Sequence, residues 1–140
     1  MLKKLFLLCL TLLSICSTCF ANDNLRVALV YGQYSAEISC DDEFTVEDLA
    51  TGKVSTIPEG KYFLNVKEGK LTMGEHTFSN KIAINRFEGK SLPQINKRRY
   101  AGALVAQTQG DRLLVNNIVN LELYLCSVLP SKTMPIWPDE

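Results

Sequence analysis

The chain has 140 residues, of which 46% are hydrophobic, so it is long and apolar enough for one compact domain with a buried core. Its 15 basic and 15 acidic side chains balance, which argues against a nucleic-acid partner, because such a partner calls for a clear basic excess or patch. With one histidine, no C-x-x-C pair after residue 21 and no glycine-rich phosphate loop, the sequence predicts neither a metal site nor a cofactor.

Residues 1–21 have the three parts of a secretory signal peptide. Lys3 and Lys4 form the positive segment, an apolar run follows to Ile15, and the small residue Ala21 precedes the predicted cut. The apolar run is too short for a permanent membrane span, which takes about 20 apolar residues. We therefore expect a chain that is secreted, to the cell wall or periplasm, with no stable membrane span after cleavage. An uncleaved N-terminal anchor is the alternative.

Cleavage would leave residues 22–140, in which 13 basic side chains stand against 15 acidic ones, a net charge of −2. Two cysteines, Cys40 and Cys126, lie in this part of the chain. Outside the cytosol they could form a disulfide, but only if their backbones come within bonding distance, which the sequence does not show. Two separately buried thiols are the alternative.

Short strands separated by turn signals are predicted between residues 25 and 87. The apolar or alternating segments are 25–31, 36–40, 44–49, 54–57, 62–66, 70–73 and 81–87. A tight hairpin is expected at Glu68-Gly69. His76 lies near a turn and is expected on the surface. Strands at this spacing favour an antiparallel, sandwich- or barrel-like arrangement.

A longer hairpin and a short helix are predicted next. The segments 98–107 and 112–119 flank a polar tip that contains a glycine. Residues 120–130 then change to leucines at helical spacing, with Asn120 expected to cap the helix and Pro130 to end it. The predicted fold class is therefore mainly β (α+β), with antiparallel strands and hairpins and a short C-terminal helix.

Several short motifs follow one another in residues 98–140. They are Tyr100-Ala101-Gly102, Leu114-Val115-Asn116, Leu121-Glu122-Leu123-Tyr124-Leu125, Ser127-Val128-Leu129-Pro130-Ser131, Met134-Pro135 and Trp137-Pro138-Asp139-Glu140. This ordered set resembles the family of stage II sporulation protein D and the amidase enhancer LytB. Residues 25–90 resemble the family only in being a strand-rich segment that precedes these motifs. The resemblance implies that residues 22–140 are the N-terminal part of the family's domain, ending within a motif.

The resemblance implies an exported protein that acts on peptidoglycan, in cell-wall remodelling or sporulation. The sporulation proteins of the family resemble lytic transglycosylases, and the LytB branch enhances a cell-wall amidase. The implied partners are therefore peptidoglycan glycan strands and a wall amidase. The implied substrate groove includes Tyr124, Ser131, Met134 and Trp137.

The sequence departs from the family at the residue that matters most for catalysis. A lytic transglycosylase needs a carboxylic acid that protonates the leaving oxygen and then takes the proton of the hydroxyl that closes the ring. Between Ser131 and Met134, where the family has a glutamate, this chain has Lys132 and Thr133. Lysine, with an ordinary pKa of about 10.4, is a poor proton donor at neutral pH. Glu122 is the remaining candidate acid, although a carboxylate on a helix face is more often structural.

Three hypotheses follow from these residues. The chain is a peptidoglycan-directed protein with an incomplete catalytic set, a non-enzymatic wall-binding or amidase-modulating module, or a gene fragment with little function of its own. Tyr100 and Tyr124 could stack on sugar rings or pack in the core. Arg98 and Arg99, with Lys97, could meet the acidic peptide stems of the wall or form a solvated strand end.

Overall fold

The computed structural model describes Met1, residues 23–86 and residues 90–132. The predicted signal peptide lies outside the described residues, as do Thr133, Met134 and Trp137. The described part of the chain contains strands β1 (Asn24–Gln33), β2 (Ser35–Cys40), β3 (Phe44–Asp48), β4 (Val54–Ile57), β5 (Gly60–Lys67), β6 (Lys70–Met73), β7 (His76–Phe78), β8 (Lys81–Arg86), β9 (Gln94–Ile95), β10 (Arg98–Arg99), β11 (Ala103–Gln109) and β12 (Arg112–Asn120), followed by helix α1 (Leu121–Lys132).

The strands form two six-stranded antiparallel sheets. The order is β1-β12-β11-β8-β3-β4 in the first sheet and β10-β9-β2-β5-β6-β7 in the second. Both sheets contribute apolar side chains to a single buried cluster, which makes the architecture a β-sandwich. The mainly β class, its antiparallel pairing and the short C-terminal helix are confirmed.

The core follows the two-residue period of the strands. In β11 and β12 the inward positions are Leu104, Ala106, Leu113 and Val115, all at most 1% exposed. They meet apolar side chains from the inner face of the second sheet, among them Ile38, Leu64 and Leu71. The core therefore lies between the inner faces of the two sheets.

Asp48 is the principal buried charge of the sandwich. It lies at the end of β3 and is 6% exposed. Its carboxylate accepts hydrogen bonds from the backbone N–H of Ala50 (3.0 Å), Thr51 (3.3 Å) and Ser79 (2.7 Å), and from the Ser79 hydroxyl (2.7 Å). Burial would raise the pKa of Asp48, but these hydrogen bonds, led by those from Ser79, outweigh it and lower the pKa to about 2. The carboxylate thereby ties the β3–β4 turn to the segment before β8.

The predicted hairpins are confirmed. Glu68 and Gly69 connect β5 to β6 with φ values of 52° and 73°, the positive values that a two-residue type I′ turn requires. In the second hairpin Gln109 pairs with Arg112, and Gly110 at the tip has a φ of 64°. His76 is exposed, as predicted, although it lies within β7.

The predicted strand 98–107 is not continuous. Arg98 and Arg99 belong to the second sheet, and the strand that resumes at Ala103 belongs to the first. Residues 100–102 therefore cross from one sheet to the other. Gly102 makes this crossing possible, because at its φ of 95° a side chain would clash with the backbone carbonyl of Ile118.

Helix α1 begins as predicted but does not end as predicted. The Glu122 backbone N–H donates to the side-chain oxygen of Asn120 at 2.9 Å, which confirms the cap. The helical backbone continues past Pro130 to Lys132, so the predicted end was wrong. A proline removes the bond that its own N–H would donate to the carbonyl four residues earlier and crowds that carbonyl, but here the backbone stays helical for two more residues. None of the described residues forms a helix of the length and apolarity that a bilayer crossing requires.

Candidate binding cavity

A cavity of about 480 Å³ lies beside the core, between β1, β12, the crossing segment and α1. Its volume is within the range of small-ligand sites, roughly 300–1,000 Å³. The cavity is lined by Val27 and Leu29 of β1, Asn117 and Val119 of β12, residues 98–101, and Tyr124, Ser127 and Val128 of α1. Residues that are far apart in the sequence thus share one concave surface.

The floor of the cavity continues the core face of the first sheet. Asn117 and Val119 have the same parity in β12 as the core residues Leu113 and Val115, so they point to the same side. Asn117 pairs with Val27 on one side and with Leu104 on the other.

A β-bulge shapes the β1 side of this floor. The β1–β12 register steps from Ala28–Asn116 to Val30–Val115, which leaves Leu29 as an extra residue. The bulge allows Val27 to face the cavity while Val30, at 1% exposed, remains in the core. Leu29 lines the cavity as well and packs against the core.

Asn117 is the unusual member of the floor. It is 5% exposed, and its side-chain oxygen Oδ1 is buried with no hydrogen-bond partner among the described residues. Buried side-chain polar atoms are nearly always hydrogen-bonded, and an unpartnered one costs about 1–3 kcal/mol. The amide is therefore a polar group at the cavity that the fold itself leaves unsatisfied.

Strand β10 and the crossing segment bring two arginines and a tyrosine to the cavity. A two-residue turn at Asn96 and Lys97, with φ values of 49° and 69°, connects β9 to β10. The Asn96 side-chain oxygen accepts a hydrogen bond from the Glu37 backbone N–H (3.1 Å), and the Asn96 N–H donates to the Glu37 carbonyl (2.9 Å). This pair of bonds fixes the β9–β10 hairpin to β2.

The two arginines differ in their surroundings. Arg99 forms an ion pair with Asp41. Arg98 is exposed and has no carboxylate partner within the described ranges. Tyr100 follows them and is half-buried against the core. Arg98 is therefore the lining cation that is free to meet a ligand.

Helix α1 presents Tyr124, Ser127 and Val128 to the cavity, at the i, i+3, i+4 spacing of one helix face. The Ser127 hydroxyl donates to the Tyr124 carbonyl at 2.7 Å, and the start of the helix is held by a bond from the Leu121 N–H to the Asp23 carbonyl at 2.8 Å. The leucines that suggested a helix in the sequence are not its packed face. Leu125 and Leu129 are 43% and 53% exposed.

The predicted site residues divide into three groups. Tyr124 of the predicted groove lines the cavity, together with Tyr100, Arg98 and Arg99. Ser131 lies in the last turn of α1, and Met134 and Trp137 are outside the described residues. Glu122, the candidate acid, is exposed in the first turn of α1 and is not part of the cavity.

The two cysteines are not bonded to each other. Cys40 is buried, with its sulfur 3.5 Å from the Ser91 carbonyl oxygen, whereas Cys126 is exposed on α1. The candidate disulfide is therefore not formed, because one thiol points into the core and the other into solvent. Over the same described ranges, no three His, Cys, Asp or Glu side chains are grouped to hold a metal ion.

Asn117 was not singled out from the sequence. The available signal was a pair of asparagines, Asn116 and Asn117, inside an otherwise apolar strand. Period-two alternation places one of the two on the core face, where an amide is unexpected.

No protein family, curated protein or solved structure matches this chain. Its function is therefore inferred from the cavity and from the ordered motifs of residues 98–140.

Proposed function

We propose that this chain is an exported, peptidoglycan-directed binding module that resembles the N-terminal part of the sporulation protein D and LytB domain. One observation carries the proposal. Tyr100 and Ala101 of one motif meet Tyr124, Ser127 and Val128 of the two motifs in α1 at a single cavity. A concave, largely apolar surface with a few convergent polar groups is where a ligand is expected to bind.

The lining supports binding over bond cleavage. A transglycosylase needs a carboxylic acid beside the scissile bond. The described lining residues include no aspartate or glutamate, and Glu122 projects from another part of α1. The family's acid position is occupied by Lys132 and Thr133. A cavity that holds a ligand without attacking it fits this set of side chains.

The shape and polarity of the lining suit a ligand with both apolar and polar faces. Tyr100 and Tyr124 are both half-buried and supply flat apolar surface with a hydroxyl at one end. Arg98 and Asn117 add polar groups on other sides of the same space. Wall sugars and their attached short peptides have this mixed character. The predicted signal peptide would deliver the chain to the compartment where they occur.

Co-sedimentation with purified peptidoglycan sacculi tests the proposal. We expect the wild-type protein to sediment with the sacculi and Tyr124→Ala to bind about 10-fold more weakly, as the loss of roughly 1.4 kcal/mol of contact implies. Phe63→Ala is the matched control, because Phe63 is 59% exposed in β5 of the other sheet and is not a cavity residue. It should bind like wild type.

Two results would contradict the proposal. Wild-type protein that stays in the supernatant would exclude wall binding. Release of anhydro-muropeptides from the sacculi by the purified protein would show a transglycosylase, and the binding-only assignment would be wrong.

A further inference from the structure

The polar groups of the cavity are complementary to an anion. Arg98 supplies a guanidinium whose N–H groups can pair with both oxygens of a carboxylate. The neighbouring Arg99 is already paired with Asp41, so the two guanidinium groups are not equivalent. No acidic side chain of the described lining opposes a negative ligand.

Asn117 adds a second and independent requirement. Its unpartnered Oδ1 is an acceptor, so a ligand that satisfies it must bring a hydrogen-bond donor. A ligand that uses both Arg98 and Asn117 therefore carries a carboxylate with an N–H or O–H donor close to it.

The remaining lining limits the size and polarity of what lies beside the carboxylate. One wall of the cavity is apolar and consists of Val27, Leu29, Val119 and Val128. Branched aliphatic side chains favour a small apolar substituent, such as a methyl group, over a second charge. The volume of about 480 Å³ admits a few linked groups of this kind rather than a long polymer segment.

We propose that the cavity binds a carboxylate that bears a methyl group and a neighbouring hydrogen-bond donor. The chemistry follows from the lining, and its assignment to the cell wall rests on the proposed function. Two wall components have this chemistry. One is the C-terminal alanine of a peptide stem, whose amide N–H is the donor. The other is a muramic acid whose stem has been removed, in which the lactyl group supplies the methyl and carboxylate and the acetamido N–H of the same sugar is the donor.

Calorimetric titration of the purified protein with paired probes tests the proposal. The acids are N-acetyl-D-alanyl-D-alanine and N-acetylmuramic acid. Their uncharged counterparts are the dipeptide C-terminal amide and the methyl ester of N-acetylmuramic acid. We expect at least one acid to bind 10-fold or more tightly than its counterpart, and the acid that does so identifies the source. If each acid binds no better than its counterpart, the proposal is overturned.

Two variants connect this preference to the named residues. Arg98→Gln should remove the preference for the acid while leaving the uncharged counterpart unchanged. Arg26→Gln is the matched control, since Arg26 is an exposed arginine of β1 outside the cavity lining. Equal acid preference in the two variants would overturn the assignment to Arg98. Asn117→Leu should lose binding of both probe types while remaining folded.

Failure of this inference is distinguishable from failure of the proposed function. Protein that sediments with sacculi but shows no carboxylate preference would keep the wall function and overturn the carboxylate site. Protein that prefers the acids but does not sediment with sacculi would keep the carboxylate site and overturn the wall function.

Discussion

Replacing Asn117 with leucine should stabilise the fold while it removes ligand binding. Leucine keeps the branching of the side chain at Cγ but has no polar atoms. The substitution therefore removes the buried Oδ1 that has no partner in the described structure. Natural cores rarely retain such a group, and the free protein would be more stable without it.

The size of the gain follows from the cost of the orphaned acceptor. Leaving a buried acceptor unsatisfied costs about 1–3 kcal/mol. Leucine is larger than asparagine, but the adjoining cavity of about 480 Å³ can take the extra volume. We expect a net gain of about 1–2 kcal/mol, equivalent to a rise in Tm of about 4–8 °C for a domain of this size.

Urea unfolding followed by circular dichroism measures this change. The midpoint should rise with an unchanged slope, because the folded and unfolded states expose the same surface as before. Asn116→Leu is the control. Asn116 lies on the opposite face of β12, so its replacement neither removes the orphaned acceptor nor fills the cavity. If Asn117→Leu lowers stability by about 1 kcal/mol or more, the amide has a partner in the folded protein and the reasoning is wrong.

Three further substitutions test the fold that carries the cavity. Asp48→Asn should lower stability at neutral pH by about 1–2 kcal/mol after allowance for solvent screening. Because the folded pKa of about 2 lies below the ordinary 3.8, the contribution of Asp48 is present above pH 4 and is lost as the pH falls toward 2. Urea unfolding at several pH values in this range should show that the free energy of unfolding falls less steeply with pH in the variant than in the wild type. An equally steep fall in the two proteins would refute the assignment. Gly102→Ala should cost about 2–4 kcal/mol in thermal unfolding, since its Cβ would meet the Ile118 carbonyl at a positive φ. A loss below about 1 kcal/mol would mean that the crossing can relax. Asn120→Ala should cost about 1 kcal/mol and part of the helical circular dichroism signal, and no change in either would argue against the cap.

The parts of the fold that depend on local chemistry could be predicted from the sequence. The turn at Glu68-Gly69 requires positive φ values, which a glycine signals directly. Asn120 identifies a helix start because its side chain bonds a backbone group two residues away. Both features are decided within a few residues, so the surrounding fold does not change them.

Features that depend on distant contacts could not be predicted. The break at residues 100–102 exists because the chain changes sheet beside Ile118, which is a tertiary contact. The strands β7 and β9 have three and two residues, too few to show a period. Each is recognisable only by its pairing with a neighbouring strand.

The candidate site shows the same division. Tyr100, Tyr124 and Arg98 stand out in the sequence because aromatic and basic side chains are chemically distinctive. Asn117 does not, since its importance lies in being buried at a cavity without a partner. That condition is a property of the surrounding structure, and an asparagine in a strand carries no separate mark of it.

Binding of the wild-type protein and of Asn117→Leu to purified sacculi, compared by sedimentation, tests the central claim most directly. The variant is expected to be the more stable of the two, so a loss of binding cannot come from unfolding. We predict that the wild-type protein sediments with the sacculi and that the variant stays in the supernatant. Equal sedimentation of the two proteins would contradict the claim that this cavity binds the cell wall.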